Sequence, residues 1–263
     1  RAPKVAEEYK LIGGKSPINE WTELQRSMLE KNLRNINAGI DVHIAMRYWK
    51  PLTDETVAKV EAGNYDKIIL LPLYPHYSIT TIGSSFNEWN RHYKGDKSKL
   101  IYIGNYQTND KYIAALNQRI DETILRFPEN VKENIQLVFS AHGTPVSLVK
   151  KGDPYSTQIK ETVDAVMKAR NYSHPYHQCF QSKVGPMKWL EPATDTMIEE
   201  LSAAGKKNLL IIPISFVSDH VETLFELDIE YRHVADKCGI ENYIVMKGLN
   251  DSQLFIEALA ELV

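Results

Sequence analysis

The sequence predicts an α/β fold in which short parallel strands alternate with helices. Apolar runs of strand length recur about every thirty residues. Between them lie segments whose apolar residues are three and four positions apart, the spacing of an amphipathic helix. Turn residues such as Gly63, Gly205 and the pair Gly185-Pro186 separate the two kinds of segment. This alternation is typical of βαβ units, whose strands run parallel.

The predicted strands share branched apolar side chains and boundaries at turn residues. They are residues 42–48, 67–73, 100–106, 135–140, 177–181, 209–213 and 242–246. The predicted helices share a helical spacing of apolar residues and cover residues 4–14, 21–36, 53–62, 86–89, 113–124, 159–167, 197–205 and 254–263. These strands would form one sheet or two smaller ones, and the polar connection at 127–134 divides the chain into two halves.

Composition excludes several classes of protein. The chain has 263 residues, of which 43% are hydrophobic and 25% charged, as in ordinary soluble globular proteins. The net charge of −3 gives no electrostatic reason to expect a nucleic-acid partner. Cys179 and Cys238 lie far apart without a CxxC motif, which argues against a disulfide scaffold or a thiolate metal site and fits a reducing compartment. No apolar run reaches the ~18 residues of a membrane span, and no signal peptide is visible.

Polar residues directly follow several predicted strands. They occur at residues 74–78, at His142, at residues 181–183 and at residues 218–222. Because ligands of parallel sheets bind beyond the carboxyl ends of the strands, these residues could face one cleft. A glycine-rich phosphate loop and a nucleophile elbow are both missing from the sequence, so a nucleotide cofactor is not expected.

Three glutamates, Glu222, Glu226 and Glu230, recur at a spacing of four with no lysine or arginine between them. Like charges at this spacing repel on a helix. Together with His220 they offer oxygen and imidazole ligands that suit iron(II), manganese, magnesium or zinc, although a solvated helix face would show the same pattern. An ideal α-helix drifts by ~40° per four residues, so the three carboxylates can point inward along one line only if the helix is widened, as in a π-bulge.

His142 follows an apolar strand and precedes a Gly-Thr-Pro turn. It could cap the strand end through backbone hydrogen bonds, or serve as a general base or metal ligand, because the ordinary pKa of histidine is ~6.5. Aromatic and sulfur residues flank the same loops and either belong to the core or together line a flat apolar pocket. They are Tyr48, Trp49, Tyr74, Tyr77, Met187, Trp189 and Phe216.

Eight motifs, in the same order along the chain, resemble those of the ferrochelatases. The first are IGGKSPI at 12–18, RY at 47–48 with PLT at 51–53, and YP at 74–75 with TIGSS at 81–85. The others are SAHGTP at 140–145, GDPY at 152–155, QSKVGPMKWL at 181–190, SDHVETLFELDIEY at 218–231 and GLN at 248–250. Any one motif is weak, but eight in register make the resemblance specific.

The resemblance implies a lyase that inserts iron(II) into protoporphyrin IX, the last step of haem synthesis. It implies two similar Rossmann-like lobes, each a parallel sheet flanked by helices, with the active-site cleft between them. We place the first lobe at residues 1–130 with 252–263, lacking its first strand, and the second at residues 131–251. The alternatives are a chelatase for coproporphyrin or sirohydrochlorin and a porphyrin or metal carrier without turnover.

The resemblance also implies roles for individual residues. His142 would take the pyrrole protons or bind the incoming metal, and Glu222 would face it across the macrocycle. Glu226 and Glu230 would continue as an acidic track, so that the implied metal ligands are His142, Glu222, Glu226 and Glu230. The implied porphyrin-binding residues hold or border the macrocycle and are Arg47, Tyr48, Tyr74, Met187, Trp189, Phe216 and His220.

No resident cofactor is expected, since iron(II) is a substrate. Ile79 stands where cluster-containing members can carry a ligand cysteine, so no iron–sulfur cluster is expected either. Members usually begin with a strand and an apolar lip that contacts the membrane, and this sequence begins after that region. We expect a cytoplasmic protein, because the cysteines fit a reducing compartment and no targeting segment is visible. Since the implied substrate is apolar, peripheral contact with a membrane is a second expectation.

Overall fold

The structure, a computed structural model, describes residues 2–183 and 185–263. Within them the strands form two separate parallel sheets. The first pairs β1 (Ile68–Leu70) with β2 (Leu100–Tyr102). The second is built from β3 (Gln136–His142), β4 (Tyr176–Gln181), β5 (Asn208–Pro213) and β6 (Asn242–Val245) in the order β4-β3-β5-β6. The predicted α/β fold with parallel sheets flanked by helices is confirmed.

The helices alternate with the strands. They are α1 (Ala2–Leu11), α2 (Ile18–Arg34), α3 (Thr53–Gly63), α4 (Ser84–His92), α5 (Asp110–Ile124), α6 (Val146–Lys150), α7 (Tyr155–Ala169), α8 (Thr194–Ala203), α9 (Tyr231–Lys237) and α10 (Gln253–Glu261). A first π-helix covers Ile79–Gly83 and a second covers Glu222–Glu230. Turns of 3₁₀-helix lie at Lys97–Lys99 and Glu129–Asn134.

Residues 42–48 do not form the predicted strand. Their backbone carbonyls are bound by hydroxyl groups of α3 instead of by a neighbouring strand. Thr56 donates to the carbonyl of Ile44 at 2.6 Å, and Thr53 donates to the carbonyl of Met46 at 3.1 Å. These hydrogen bonds hold the segment in an extended course beside α3 without a strand partner.

The second sheet is buried on both faces, because successive side chains of a strand point to opposite sides. Leu137 and Phe139 of β3 pack in the cluster that includes residues of α5, α7 and α10. Val138 points the other way and packs in the cluster that includes residues of α8 and α9. Burial on both faces explains why β3 and β5 are almost continuously apolar.

Parallel pairing aligns the carboxyl ends of β3, β4 and β5 at one edge of this sheet. His142 lies opposite Gln181, and Ser140 lies opposite Pro213. His142 is thus the last residue of β3 and not, as the sequence suggested, one residue beyond the strand. The residues that follow the three strands meet at this edge, and they build the site described below.

The predicted boundaries of the two lobes stay a prediction. The last helix, α10, packs against α5 and α2. None of the helices in the described part of the chain has the length and apolarity required to cross a bilayer.

Candidate active site

His142 and Glu222 form a direct hydrogen bond at the carboxyl edge of the second sheet. The distance from His142 Nδ1 to Glu222 Oε2 is 2.8 Å. The expectation that Glu222 faces His142 across a macrocycle is therefore wrong. The second π-helix begins at Glu222, close to the end of β5, and β5 is the direct neighbour of β3. The two side chains consequently lie on the same wall of the site.

The backbone of His142 is fixed by two hydroxyl groups from different elements. Its amide donates to Ser215 Oγ at 2.9 Å, and its carbonyl accepts from the phenol of Tyr155 at 2.9 Å. The ring of Phe216 meets the imidazole edge-on, with 6.1 Å between centroids. These contacts orient the imidazole, with Nδ1 toward Glu222 and Nε2 on its far side.

In the His142–Glu222 pair, each side chain favours the charged form of the other. Burial alone would lower the pKa of His142, but the hydrogen bond and charge of Glu222, with the charge of Glu226, raise it above its ordinary value. Burial likewise opposes ionisation of Glu222, yet the hydrogen bond and charge of His142 hold the pKa of Glu222 below its ordinary value. The hydrogen bond thus favours a protonated imidazole beside an ionised carboxylate.

The widened helix expected for the glutamates is confirmed, since Glu222–Glu230 is a π-helix. Glu226 turns inward onto Ser182, which donates to it through its amide at 2.7 Å and its hydroxyl at 2.6 Å. The same hydroxyl lies 3.3 Å from Glu222 Oε2. Tyr231 donates at 3.0 Å to Glu226 Oε1, the oxygen that also accepts the Ser182 amide. Glu230 is exposed, so the three carboxylates do not share one inward-facing line.

Hydrogen bonds therefore run from His142 through Glu222, Ser182 and Glu226 to Tyr231. Ser182 has a φ of 64°, a left-handed backbone conformation that non-glycine residues rarely adopt and that places its amide and hydroxyl on one carboxylate. Among the described residues, no group of three or more His, Cys, Asp or Glu side chains is arranged to hold a metal ion. The carboxylates are held by protein donors instead.

A buried aspartate anchors the start of the second π-helix. Asp219 accepts hydrogen bonds from the amide of Gly248 at 3.1 Å, the hydroxyl of Thr223 at 3.0 Å and the side chain of Asn250 at 2.7 Å. A Cβ on residue 248 would lie 2.9 Å from the amide nitrogen of Asp219, so only glycine fits there. This network fixes the backbone that presents Glu222.

His220 lies beside the pair. Its Nδ1 is 3.1 Å from the carbonyl of Ser218, which assigns the proton to Nδ1, and its ring meets Phe216 at 4.4 Å between centroids. Burial lowers the pKa of His220, so its environment favours the neutral imidazole, the opposite of the shift at His142.

The other residues of the predicted porphyrin set occupy an open rim. Tyr48, Tyr74 and Met187 are 76%, 47% and 54% exposed. Arg47 stacks over the Tyr48 ring at 4.8 Å and lies 3.6 Å from Glu88. Tyr74 borders the pair closely enough that the charge of Glu222 adds to desolvation in raising its pKa.

Trp189 is brought to the site by an isolated antiparallel bridge with Pro145. A Cβ on Gly143 would lie 2.8 Å from the Gln181 carbonyl and 3.4 Å from the Trp189 ring. Glycine after His142 therefore permits the close approach of this segment to the ends of β3 and β4.

Comparison with known proteins identifies the family. The family model for ferrochelatases matches residues 1–263. The chain belongs to the ferrochelatase family. It is 46% identical to the ferrochelatase of Citrifermentans bemidjiense, over all of this chain and 82% of that protein. It is 42% identical to the mitochondrial ferrochelatase of Gallus gallus, over all of this chain and 67% of that protein. As a ferrochelatase, it is an enzyme that inserts a metal ion into a porphyrin.

Two solved structures share the fold at low sequence identity. SirB from Bacillus subtilis with Fe3+ aligns with a TM-score of 0.55 at 14% identity, over 90% of this chain and 87% of that one. DR2241 from Deinococcus radiodurans, described as similar to chelatases, aligns with a TM-score of 0.52 at 11% identity, over 90% and 50%. Both support the chelatase-like fold alone.

Several residues of this ferrochelatase site had no signal in the sequence. Ser182, Ser215, Tyr155 and Tyr231 supply hydroxyl groups to His142 or Glu226. Serines and tyrosines are common throughout soluble proteins, and only their position in the fold distinguishes these four. The motifs that contain Ser182, Tyr155 and Tyr231 were recognised, but no role followed from the residue types.

Proposed function

We propose that this ferrochelatase inserts iron(II) into protoporphyrin IX, the terminal step of haem synthesis. The observation that carries the proposal is the 2.8 Å contact between His142 and Glu222 beside an aromatic rim. Metal insertion must remove the pyrrole protons, which requires a base within reach of the macrocycle. His142 is that base or the first ligand of the incoming iron, and Glu222 sets its charge.

The hydrogen-bonded series from Glu222 to Tyr231 provides an outlet for the released protons. A proton accepted by His142 can be shared with Glu222, which is connected through Ser182 to Glu226. Each step joins groups already in hydrogen-bond contact, so no large movement is required. The same carboxylates can hold iron(II) weakly, as hard oxygen ligands do, before it enters the ring.

The exposed side chains of the rim suit an apolar, planar substrate. Tyr48, Tyr74 and Met187 expose aromatic and thioether surface on which a macrocycle can lie and be bent. Arg47 is partly neutralised by Glu88. Coproporphyrin carries more carboxylates than protoporphyrin, and the exposed apolar surface of Tyr48, Tyr74 and Met187 suits the more apolar protoporphyrin.

We further propose that the enzyme needs no resident cofactor. Iron(II) is the substrate, and the side chains around His142 supply the acid–base chemistry. Cys179 is buried within β4, and burial raises the pKa of its thiol to about 12, which disfavours the thiolate needed to bind an iron–sulfur cluster. Cys238 lies at the end of α9, on a different element.

We propose a cytoplasmic location with peripheral contact to a membrane surface. Protoporphyrin is apolar and partitions into bilayers, and Tyr48, Trp49 and Ile79 are exposed. Sedimentation with liposomes, with and without the Trp49→Ser change, tests this contact.

The substrate is tested by a continuous insertion assay with iron(II) and either protoporphyrin or coproporphyrin. We expect kcat/KM to be higher for protoporphyrin. A higher value for coproporphyrin would reassign the substrate, and activity with sirohydrochlorin alone would move the enzyme to another tetrapyrrole. Less than one product per protein molecule with every porphyrin would make the chain a carrier.

A further inference from the structure

A buried carboxylate, Asp153, joins the two sides of the candidate active site. It lies just before α7 and is 5% exposed. Its Oδ2 accepts hydrogen bonds from the hydroxyl of Ser78 at 2.9 Å and the amide of Ile79 at 2.8 Å. Its Oδ1 accepts from the amide of Tyr155 at 3.0 Å. These donors belong to two separate parts of the chain, the end of the 74–79 loop and the first turn of α7.

The neighbouring loop residues are bound by the same helix. Gln158 accepts the amide of Tyr77 at 2.6 Å, and Thr162 Oγ1 lies 2.8 Å from His76 Nε2. With Asp153, these residues bind positions 76 to 79 of the loop consecutively. Gln158 and Thr162 are four apart and so share one face of α7. We call this set of contacts the loop anchor.

The loop anchor also reaches the catalytic histidine. Tyr155, the first residue of α7, donates its phenol to the carbonyl of His142. The first turn of α7 therefore holds His142 on one side and the 74–79 loop on the other. Tyr74, at the start of that loop, borders Glu222. The position of Tyr74 relative to the His142–Glu222 pair consequently depends on contacts to α7.

A carboxylate has a specific advantage at this position. Burying a charge is costly, and the three donors to Asp153 are two backbone amides and one hydroxyl rather than a cation. An asparagine would cost less to bury, but its amide nitrogen cannot accept. It would satisfy either the loop or Tyr155, and would direct an N–H at the other donor.

We propose that Asp153 is a positioning residue for porphyrin binding, which holds the 74–79 loop at a fixed distance from His142. The proposal rests on the proposed function, since it concerns the porphyrin half of the same site. Asp153 itself touches no reacting atom; it acts through the loop that carries Tyr74. Loss of its contacts should therefore weaken porphyrin binding while leaving the iron side of the reaction intact.

The test compares three variants of the full chain. Asp153→Asn removes one side of the carboxylate's contacts, and Ser78→Ala removes a single donor. Asp164→Asn is the matched control, because Asp164 lies on the same helix but is paired with Lys160 at the surface. Steady-state assays give KM for porphyrin and for iron(II) separately, tryptophan quenching gives the porphyrin Kd, and thermal melts check folding.

For Asp153→Asn we expect porphyrin Kd and KM to rise about tenfold, the order expected when a hydrogen bond to a charged group is lost. Ser78→Ala should raise both by about threefold, and KM for iron(II) should stay unchanged in all three. Porphyrin Kd and KM at the wild-type values would overturn the proposal. So would a fall in kcat with equal substrate constants and a lower melting temperature, since that describes a structural role only.

If Asp153→Asn does not fold, the Ser78→Ala variant tests the proposal alone. A raised porphyrin Kd at an unchanged melting temperature supports the proposal, and an unchanged Kd overturns it. Failure of the proposed function is separate, because it would appear in the wild-type protein as absence of iron insertion into protoporphyrin. The quenching measurement reports porphyrin binding in either case.

Discussion

The first and the second π-helix are built alike and carry different chemistry. The first, Ile79–Gly83, follows the loop after β1, and the second, Glu222–Glu230, follows the segment after β5. Each begins beside a buried aspartate: Asp153 binds the amide of Ile79, and Asp219 binds the hydroxyl of Thr223. Each then continues as an α-helix, α4 or α9.

Their side chains differ. The first π-helix bears Thr80 and Thr81, whose hydroxyls stay within their own turn, near Ser78. The second bears Glu222 and Glu226, which reach across to His142 and Ser182. A widened backbone thus orients side chains in both places, but only the second orients ionisable groups toward one another. We therefore propose that the acid–base chemistry belongs to the second π-helix, whereas the first carries no ionisable group and adjoins the loop that Asp153 binds.

The largest expected effect follows from removing the charge of Glu222. In Glu222→Gln, His142 loses the partner that raises its pKa, and iron(II) insertion should fall by about 10²–10⁴-fold, the range typical of general acid–base groups. Single-turnover insertion rates measure this. The control is Glu230→Gln on the same π-helix, which should stay within about twofold of wild type because Glu230 is exposed. Equal losses in both variants would remove the distinction between inward and exposed carboxylates.

A smaller loss is expected for Glu226→Gln. Glu226 is separated from His142 by Glu222 and Ser182, so it contributes to proton or metal passage rather than to the first transfer. We expect kcat to fall about tenfold, the order of one charge-assisted hydrogen-bond contact. Porphyrin Kd should not change. A loss as large as that of Glu222→Gln would mean that the two carboxylates act as one unit.

The pKa shifts of His142 and Glu222 predict that the stability of the folded protein depends on pH. The folded-state pKa of His142 lies above its ordinary 6.5, so its stabilisation is fully present below that value and is lost as pH rises through the raised pKa. The pKa of Glu222 lies below its ordinary 4.5, so its contribution is present above that value and is lost as pH falls through the lowered pKa. The melting-temperature difference between wild type and Glu222→Gln should thus be largest between these values and shrink in alkali. A difference that grows with rising pH contradicts the assignment.

The smallest effect is expected in the first π-helix. Thr80 is exposed and its hydroxyl contacts Ser78 Oγ at 2.9 Å. In Thr80→Ala, insertion should stay within about twofold and stability should fall by less than about 1 kcal/mol, the value of an ordinary hydrogen bond. Initial rates and urea unfolding measure both. A tenfold loss of insertion would show that the first π-helix takes part in the chemistry.

The sequence predicted the fold well wherever burial determines structure. The apolar runs of β3 and β5 are buried between helices on both faces, so their pattern was decisive. The glutamate spacing also predicted the π-helix, although only Glu222 and Glu226 of the three carboxylates turn inward. The strand predicted at residues 42–48 was wrong, because hydroxyl groups of α3 bind backbone carbonyls that a neighbouring strand would otherwise bind. Such contacts between a side chain and the backbone leave no periodic pattern in the sequence.

The site was predictable as a set of loops but not as a geometry. Glu222 was expected opposite His142 and instead binds it, because the result depends on where β5 ends relative to β3. Ser182 could not be selected, because its role comes from a left-handed backbone conformation at one residue. Such details depend on three-dimensional proximity rather than on residue type or spacing.

The central claim is that His142, held by Glu222, performs proton or metal transfer and does not bind the porphyrin as such. Measuring porphyrin binding and iron(II) insertion separately on His142→Ala tests it most directly. We predict a porphyrin Kd within about threefold of wild type, with insertion reduced by at least about 10²-fold. Insertion at the wild-type rate would contradict the role given to His142, and so would loss of porphyrin binding in proportion to activity.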